Sequence, residues 1–405
     1  MIATSPDLQI RPVEIATGIV FGTVPDPVAP MPAGEPPEAP LDALERECLR
    51  ALRSSPCLVS FSGGVDSSLV LAAATRVARR EGLPLPVPAT NRFAAAPDSD
   101  ESDWQELVVR RLGLDDWLRF DLTDELDAVG PLAGRGLRRH GLLWPFNAHF
   151  HTPLLEAAEG GSVLTGIGGD ELFGVSRWDR AARVLTAQVR PRVRDLPRVG
   201  LLAAPRPVRR AVLRRRVPAE LSWLTREGQA EFASLWATHE AAEPARLAPR
   251  VRRLQRGRVF RVGLRSLDLL ALDAGARIAH PLASPGFASA VAAAAPRLGY
   301  RWRGEAVQAL FDGLLPAELL TRTTKACFDE AFWGPHSTAM AASWDGSGVD
   351  AAIVDVERLR ALWASGEPDS HTFLLLQAAW LERERESMKN VCLAARPVVQ
   401  AHGVA

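Results

Sequence analysis

The chain has 405 residues, of which 47% are hydrophobic and 24% charged, and its 48 basic residues balance 48 acidic ones. Such a length allows two to three domains with a large core, and the composition is that of an ordinary soluble globular protein. A net charge of zero gives no electrostatic case for nucleic acid or a membrane surface, and no run of apolar residues is long enough to span a bilayer.

Residues 1–40 are rich in proline, with one strand pair expected around Ile10 to Val24, broken near Gly18. The N-terminus has no basic segment leading into an apolar core, so a cytoplasmic protein is expected. Asp42 to Arg53 carries a helical spacing through Leu44, Cys48 and Leu52. Leu58 to Phe61 then reads as a buried strand, Ser62-Gly63-Gly64-Val65-Asp66-Ser67-Ser68 as a glycine turn, and Leu69 to Arg80 as a helix.

A strand, a glycine turn and a helix in that order make a phosphate site, because backbone N–H groups at a helix N-terminus carry partial positive charge. Asp66 is discordant there, since a carboxylate repels phosphate unless a cation lies between them. Two readings follow: Asp66 is a magnesium ligand, or it only caps the helix. No G-x-x-x-x-G-K-[ST] motif is present, so ordinary P-loop chemistry has no support.

Further on, Pro84, Pro86 and Pro88 fall where a second central strand belongs, so that strand is expected to be short or at an edge. Asp103 and Glu106 have capping-box spacing, Gly113 suits a helix stop, and Arg119 to Asp121 ends a third strand. Alternating strands and helices predict an α/β protein with a doubly wound parallel sheet and ligands beyond the strand C-termini. His149 and His151 are taken as structural, for want of a third metal group. Ser162 to Thr165 reads as another buried strand, followed by Gly166-Ile167-Gly168-Gly169-Asp170-Glu171-Leu172-Phe173-Gly174.

Residues 177–216 hold thirteen arginines against two aspartates, a pattern for a solvated helical hairpin or for a face that attracts an acidic partner. Helical spacing returns from Val259 to Leu272 and from Thr372 to Leu381. The four cysteines, at 48, 57, 327 and 392, have no metal-ligand spacing and are expected as reduced, buried thiols. Lysine occurs only at 325 and 389, which gives each more weight than usual.

The two glycine segments together resemble those of the asparagine synthetase family. The resemblance covers roughly residues 41–335 and implies a pyrophosphate-loop fold that splits ATP between its α and β phosphates. A carboxylate becomes an acyl-adenylate, and an amine turns it into an amide. On this reading ATP is held by Ser60, Ser62, Gly63, Gly64, Val65, Asp66, Ser67 and Ser68 from the first loop and by Gly166, Gly168 and Gly169 from the second. Asp66 and Asp170 share Mg2+, and Lys325 neutralises charge on the reacting phosphate. Ile167 replaces the side chain that handles the amine's proton in the family, leaving Glu171, Tyr300 or a histidine as candidates. Ser284, in His280-Pro281-Leu282-Ala283-Ser284, stands where the family has an aspartate.

The same resemblance divides the chain into a remnant segment without glutaminase activity (1–40), an ATP-binding α/β domain (41–190), an arginine-rich helical insertion (191–258) and a helical substrate-side lobe (259–405). Residues 325–334 are most similar to the cyclases that close the macrolactam of lasso peptides. They imply a peptide substrate, with a leader-binding protein and a leader peptidase as candidate partners. A small-molecule amide or β-lactam synthetase, an RNA-modifying enzyme and a catalytically dead scaffold are the other readings.

Overall fold

Five parallel strands form one sheet in the order β3-β2-β1-β4-β5. They are β1 (Cys57–Ser60), β2 (Val87–Phe93), β3 (Leu118–Leu122), β4 (Ser162–Leu164) and β5 (Arg277–Ala279). The computed structural model describes residues 9–24, 38–93, 96, 99–217, 221–322, 329–366 and 368–394.

Side chains alternate across a strand, and β1 is buried on both faces. Val59 packs with Leu44, Leu69 and Phe287 on one side of the sheet, while Leu58 packs with Leu154, Val163 and Leu267 on the other. Helices α2 (Pro40–Leu52) and α3 (Val65–Glu81) lie together on the first of these faces. A third core joins distant parts of the chain: Val13 and Phe21, Trp178, Trp223 and Trp236, and Leu375 to Trp380.

From β1 the sheet grows one way through β2 and β3 and the other way through β4 and β5. The strand order therefore reverses between β1 and β4, which are hydrogen-bonded neighbours from Cys57↔Ser162 to Val59↔Leu164. Crevices at such reversals are where ligands bind in open α/β sheets. Each of these two strands runs directly into one of the glycine segments.

Several local expectations are corrected. β2 is seven residues long and central, with Pro88 inside it. Pairing with β3 begins only at Ala89, so the N–H that Pro88 lacks is not needed by that neighbour. Residues 10–24 form helix α1 (Pro12–Thr17) and an isolated bridge from Thr23 to Gly257, in place of a strand pair. Pro12 at the first helical position and a 2.9 Å bond from the Arg11 N–H to Glu14 favour that helix. Glu14 is fully buried and paired with Arg258, which ties α1 to the helix Arg258–Asp273.

The helix after β2, α4 (Ser102–Leu112), has Glu101 as its N-cap residue, two positions before the expected Asp103, and no side-chain cap; Glu106 pairs with Arg110 at 2.9 Å. Gly113 does end it, with φ 56°. Residues 177–216 make three short helices, Asp179–Leu185, Leu196–Ala203 and Arg206–Arg214, and some of their arginines are spent internally. Arg183 is buried between Asp179 and the Gly299 carbonyl, and Arg180 forms two 2.7 Å bonds to Asp195. Cys48 and Cys57 are buried free thiols, the second pushed up to about 11 by burial. Cys327 and the Cys392 side chain lie outside the described residues.

Candidate active site

The first glycine segment is closed by its own hydroxyls. Ser62 Oγ accepts from the Gly64 N–H at 3.3 Å and lies 3.2 Å from Ser67 Oγ, which donates to the Gly64 carbonyl at 3.1 Å. Gln105 of α4 donates to the Ser62 carbonyl at 3.2 Å, and Arg322 reaches the Gly63 carbonyl at 3.3 Å. Gly63 holds φ +82°, a conformation that a side chain resists. Helix α3 begins behind this turn with Val65, and no side chain caps it. An uncapped helix N-terminus of this kind can take an anion. Asp66 sits one residue inside α3 and is not its cap, which rules out the capping role considered above.

The second segment follows β4. Gly168 holds φ +105° and opens the short helix Gly169–Phe173, which carries Asp170 and Glu171. The two segments touch. A Cβ on Gly169 would fall 2.2 Å from Asp66 Cγ, and one on Gly166 would fall 2.8 Å from the Ser67 nitrogen. Glycine at these positions is what lets the loops meet.

Between the two aspartates stands Arg303, at the start of the helix Arg303–Leu310. It lies 3.2 Å from Asp66 and forms a hydrogen-bonded ion pair with Asp170. Burial by itself would lower the arginine's pKa, but the carboxylates of Asp66 and Asp170 more than offset it and hold the guanidinium charged. Asp66 and Asp170 therefore face one common cation position. Two carboxylate oxygen donors there suit Mg2+, which takes one or two carboxylates and fills its shell with phosphates and water. Among the described residues no cluster of three or more metal-ligating side chains occurs.

A small crevice at the C-terminal ends of β1 and β2 is lined by Ser60, Ser62, Asn91 and Gln105. Asn91 donates to the Phe150 carbonyl at 2.8 Å, while its Oδ1 is buried without a partner. Phe150 also borders a second, larger cavity of about 220 Å³ beside Ile167 and Glu171. Burial raises the Glu171 pKa, Asp170 adds to the rise, and Arg303 opposes it. Ser68 is fully buried in α3 rather than facing the crevice.

Other sequence candidates are placed differently. Tyr300 is half-buried beside the core under the sheet with Glu305 as its neighbouring charge, and none of its hydrogen bonds or ion pairs among the described residues reaches either loop. Lys325 lies outside the described residues. Arg322, three positions before it, forms an ion pair with Glu101 in which both side chains are 7% exposed. His149 is structural, buried and bonded to the Leu126 carbonyl at 2.8 Å. Ser284 caps the helix Pro285–Ala294 by accepting from the Phe287 N–H at 3.2 Å, so the position that carries aspartate in the family has a local structural use here.

Arg303, Asn91, Arg322 and His280 were not singled out as site residues from the sequence. In an arginine-rich chain none of them sits in a recognisable motif, although Arg322 precedes the informative Lys325 by three residues.

An open parallel sheet with two glycine loops at its reversal point, two facing carboxylates and an uncapped helix N-terminus defines a nucleotide-binding α/β protein. A family model for asparagine synthase matches residues 42–382, and the chain belongs to that family. At the family level it is an ATP-dependent, amide-forming ligase. No curated protein matches the chain. Among the described residues no helix is long and apolar enough to cross a membrane.

Proposed function

We propose that the chain joins a carboxylate to an amine carried by its own substrate, forming AMP and pyrophosphate, and that the substrate is a peptide closed into a macrolactam. The observation that carries the reaction is the meeting of Asp66 and Asp170 at one cation, delivered by two adjacent parallel strands.

ATP enters with its β and γ phosphates against the first loop and the N-terminus of α3. Asp66 and Asp170 would hold Mg2+, which would neutralise phosphate charge and orient the leaving group. A substrate carboxylate oxygen attacks the α-phosphorus, the bond to the β-phosphate oxygen breaks, and pyrophosphate leaves with that electron pair. Arg303, already charged and beside both aspartates, is placed to follow the phosphates as negative charge shifts onto the departing pyrophosphate. Lys325 is proposed for the equatorial oxygens of the same centre. The amine nitrogen then attacks the acyl carbon, and AMP departs. The peptide assignment is supported by the resemblance of residues 325–334 to lasso-type cyclases.

Incubation of candidate precursor peptides with ATP and magnesium, followed by nucleotide analysis and intact mass, tests this reading. AMP, pyrophosphate and a peptide lighter by one water are expected; ADP as product would exclude the mechanism.

A further inference from the structure

Residues 177–216 carry far more positive charge than the fold neutralises. Arg177, Arg180 and Arg183 pair with Glu240, Asp195 and Asp179, which uses both aspartates of the stretch. Arg209 turns inward, donates to the carbonyls of Leu202 and Ala241 and lies 5.1 Å from the centre of the Trp178 ring. Arg206, Arg210 and Arg214 stay exposed, and none of the three forms an ion pair among the described residues. Arg210 donates to Ser234 Oγ at 3.4 Å, but Glu231, three residues before Ser234 on the helix Arg226–Ala241, pairs with none of them. The three stand four residues apart on the helix Arg206–Arg214, so they share one face at steps of about 6 Å. With Pro207, Ala211, Thr238, Ala241 and Ala242 they line an open groove of about 470 Å³ against the helix Arg226–Ala241. Like charges at this spacing destabilise a helix. Their field is felt nearby: the pKa of Arg209 is lowered first by burial and then by the charge of Arg206.

We propose that this groove docks an acidic segment of a separate polypeptide, lying extended along the helix with the carboxylates of alternate residues on Arg206, Arg210 and Arg214. The match is one of charge and of pitch. Alternate side chains of an extended chain share one side and recur every ~6.6 Å, close to the step between successive arginines. A guanidinium takes a carboxylate in a planar fork of two hydrogen bonds, so each step of the row can be filled. The alanines and the proline keep the floor low enough for a backbone to lie against it, and Thr238 offers that backbone a hydroxyl. Nucleic acid and lipid fit less well, because the lining has no aromatic side chain for a base to stack on and no long aliphatic one to enter a bilayer. None of the lining residues belongs to the candidate active site, so docking needs neither ATP nor magnesium.

The full chain, without ATP, is titrated into a short fluorescein-labelled peptide of alternating aspartate and serine at about 0.15 M salt, where distant surface charges are screened. Anisotropy should rise to saturation, and should not rise with the lysine and serine counterpart. Arg206→Gln combined with Arg214→Gln should weaken binding about tenfold, the scale of two exposed charge pairs. Arg190→Gln combined with Arg198→Gln removes the same charge from exposed positions of the same stretch outside the groove, and should change the affinity by less than about twofold. Ala211→Glu puts a carboxylate of the chain's own into the groove and should also weaken binding several-fold. All the changed positions are exposed, so the melting temperatures should stay close to the parent's. No saturation, equal losses in the two double variants, or an equal affinity for oligouridylate or for phosphatidylserine vesicles would overturn the proposal.

Discussion

Arg303 lies 3.2 Å from Asp66, across 237 residues of chain, and the same guanidinium pairs with Asp170. One cation holds the ends of two loops together before any nucleotide arrives. Arg303→Ala should leave two carboxylates facing each other and lower stability by about 1–2 kcal/mol, as a partly exposed charged hydrogen bond warrants. Magnesium alone should then raise the melting temperature of the variant more than that of the parent, because binding to the folded state stabilises it. Equal responses to magnesium in the two proteins would show that arginine and metal do not compete for the position.

Asp66→Asn and Asp170→Asn should each reduce ATP-to-AMP turnover by about 10²-fold or more, the scale of a lost transition-state charge contact. Melting temperatures should stay within a few degrees of the parent. Parental turnover in either variant removes the shared-cation assignment.

Gly169→Ala places a methyl group where Asp66 Cγ already lies, 2.2 Å away. The loops must part, at a cost of about 1–3 kcal/mol for an overpacked contact. Turnover should fall by a much larger factor than stability accounts for, which parallel melting and nucleotide assays would reveal. A variant that loses stability but keeps its rate shows that the loop contact is structural only.

Glu101 and Arg322 are nearly buried, and Arg322 also holds the Gly63 carbonyl. Removing one charge of such a pair costs about 3–5 kcal/mol. Glu101→Gln should therefore lower the denaturant midpoint and raise the KM for ATP, since the anchor of the first loop is loosened. An unchanged KM would confine the pair to folding.

Acid should destabilise the protein through its buried imidazoles. Burial lowers the His280 pKa to about 3, with His151 adding to the effect, against about 6.5 in an unfolded chain. Below about pH 6.5 the unfolded state therefore binds a proton that the folded state refuses, and stability falls by about 1.4 kcal/mol per pH unit for each such ring. His280→Asn should flatten the fall in urea midpoint between about pH 6 and pH 4.5. Identical slopes for variant and parent would mean that this ring titrates normally.

The sequence by itself determined the parts whose information is local. Apolar runs with glycine turns and helical spacing located β1, β4 and α3 and put Asp66 and Asp170 just beyond two strand ends, because these signals each span only a few residues, although α3 starts at Val65 rather than Leu69 and so takes in Asp66. It could not place β2, whose prolines read as a short or edge strand, whereas its pairing with β3 begins only at Ala89, one residue past Pro88. It could not decide between cap and cation ligand for Asp66 either, since that depends on what approaches from elsewhere. The tertiary structure decided the convergence of the two loops, the arginine between their aspartates and the cavity beside Ile167. Those relationships join positions a hundred residues and more apart, and they exist only because β1 and β4 pair side by side and the helix bearing Arg303 folds back over their ends.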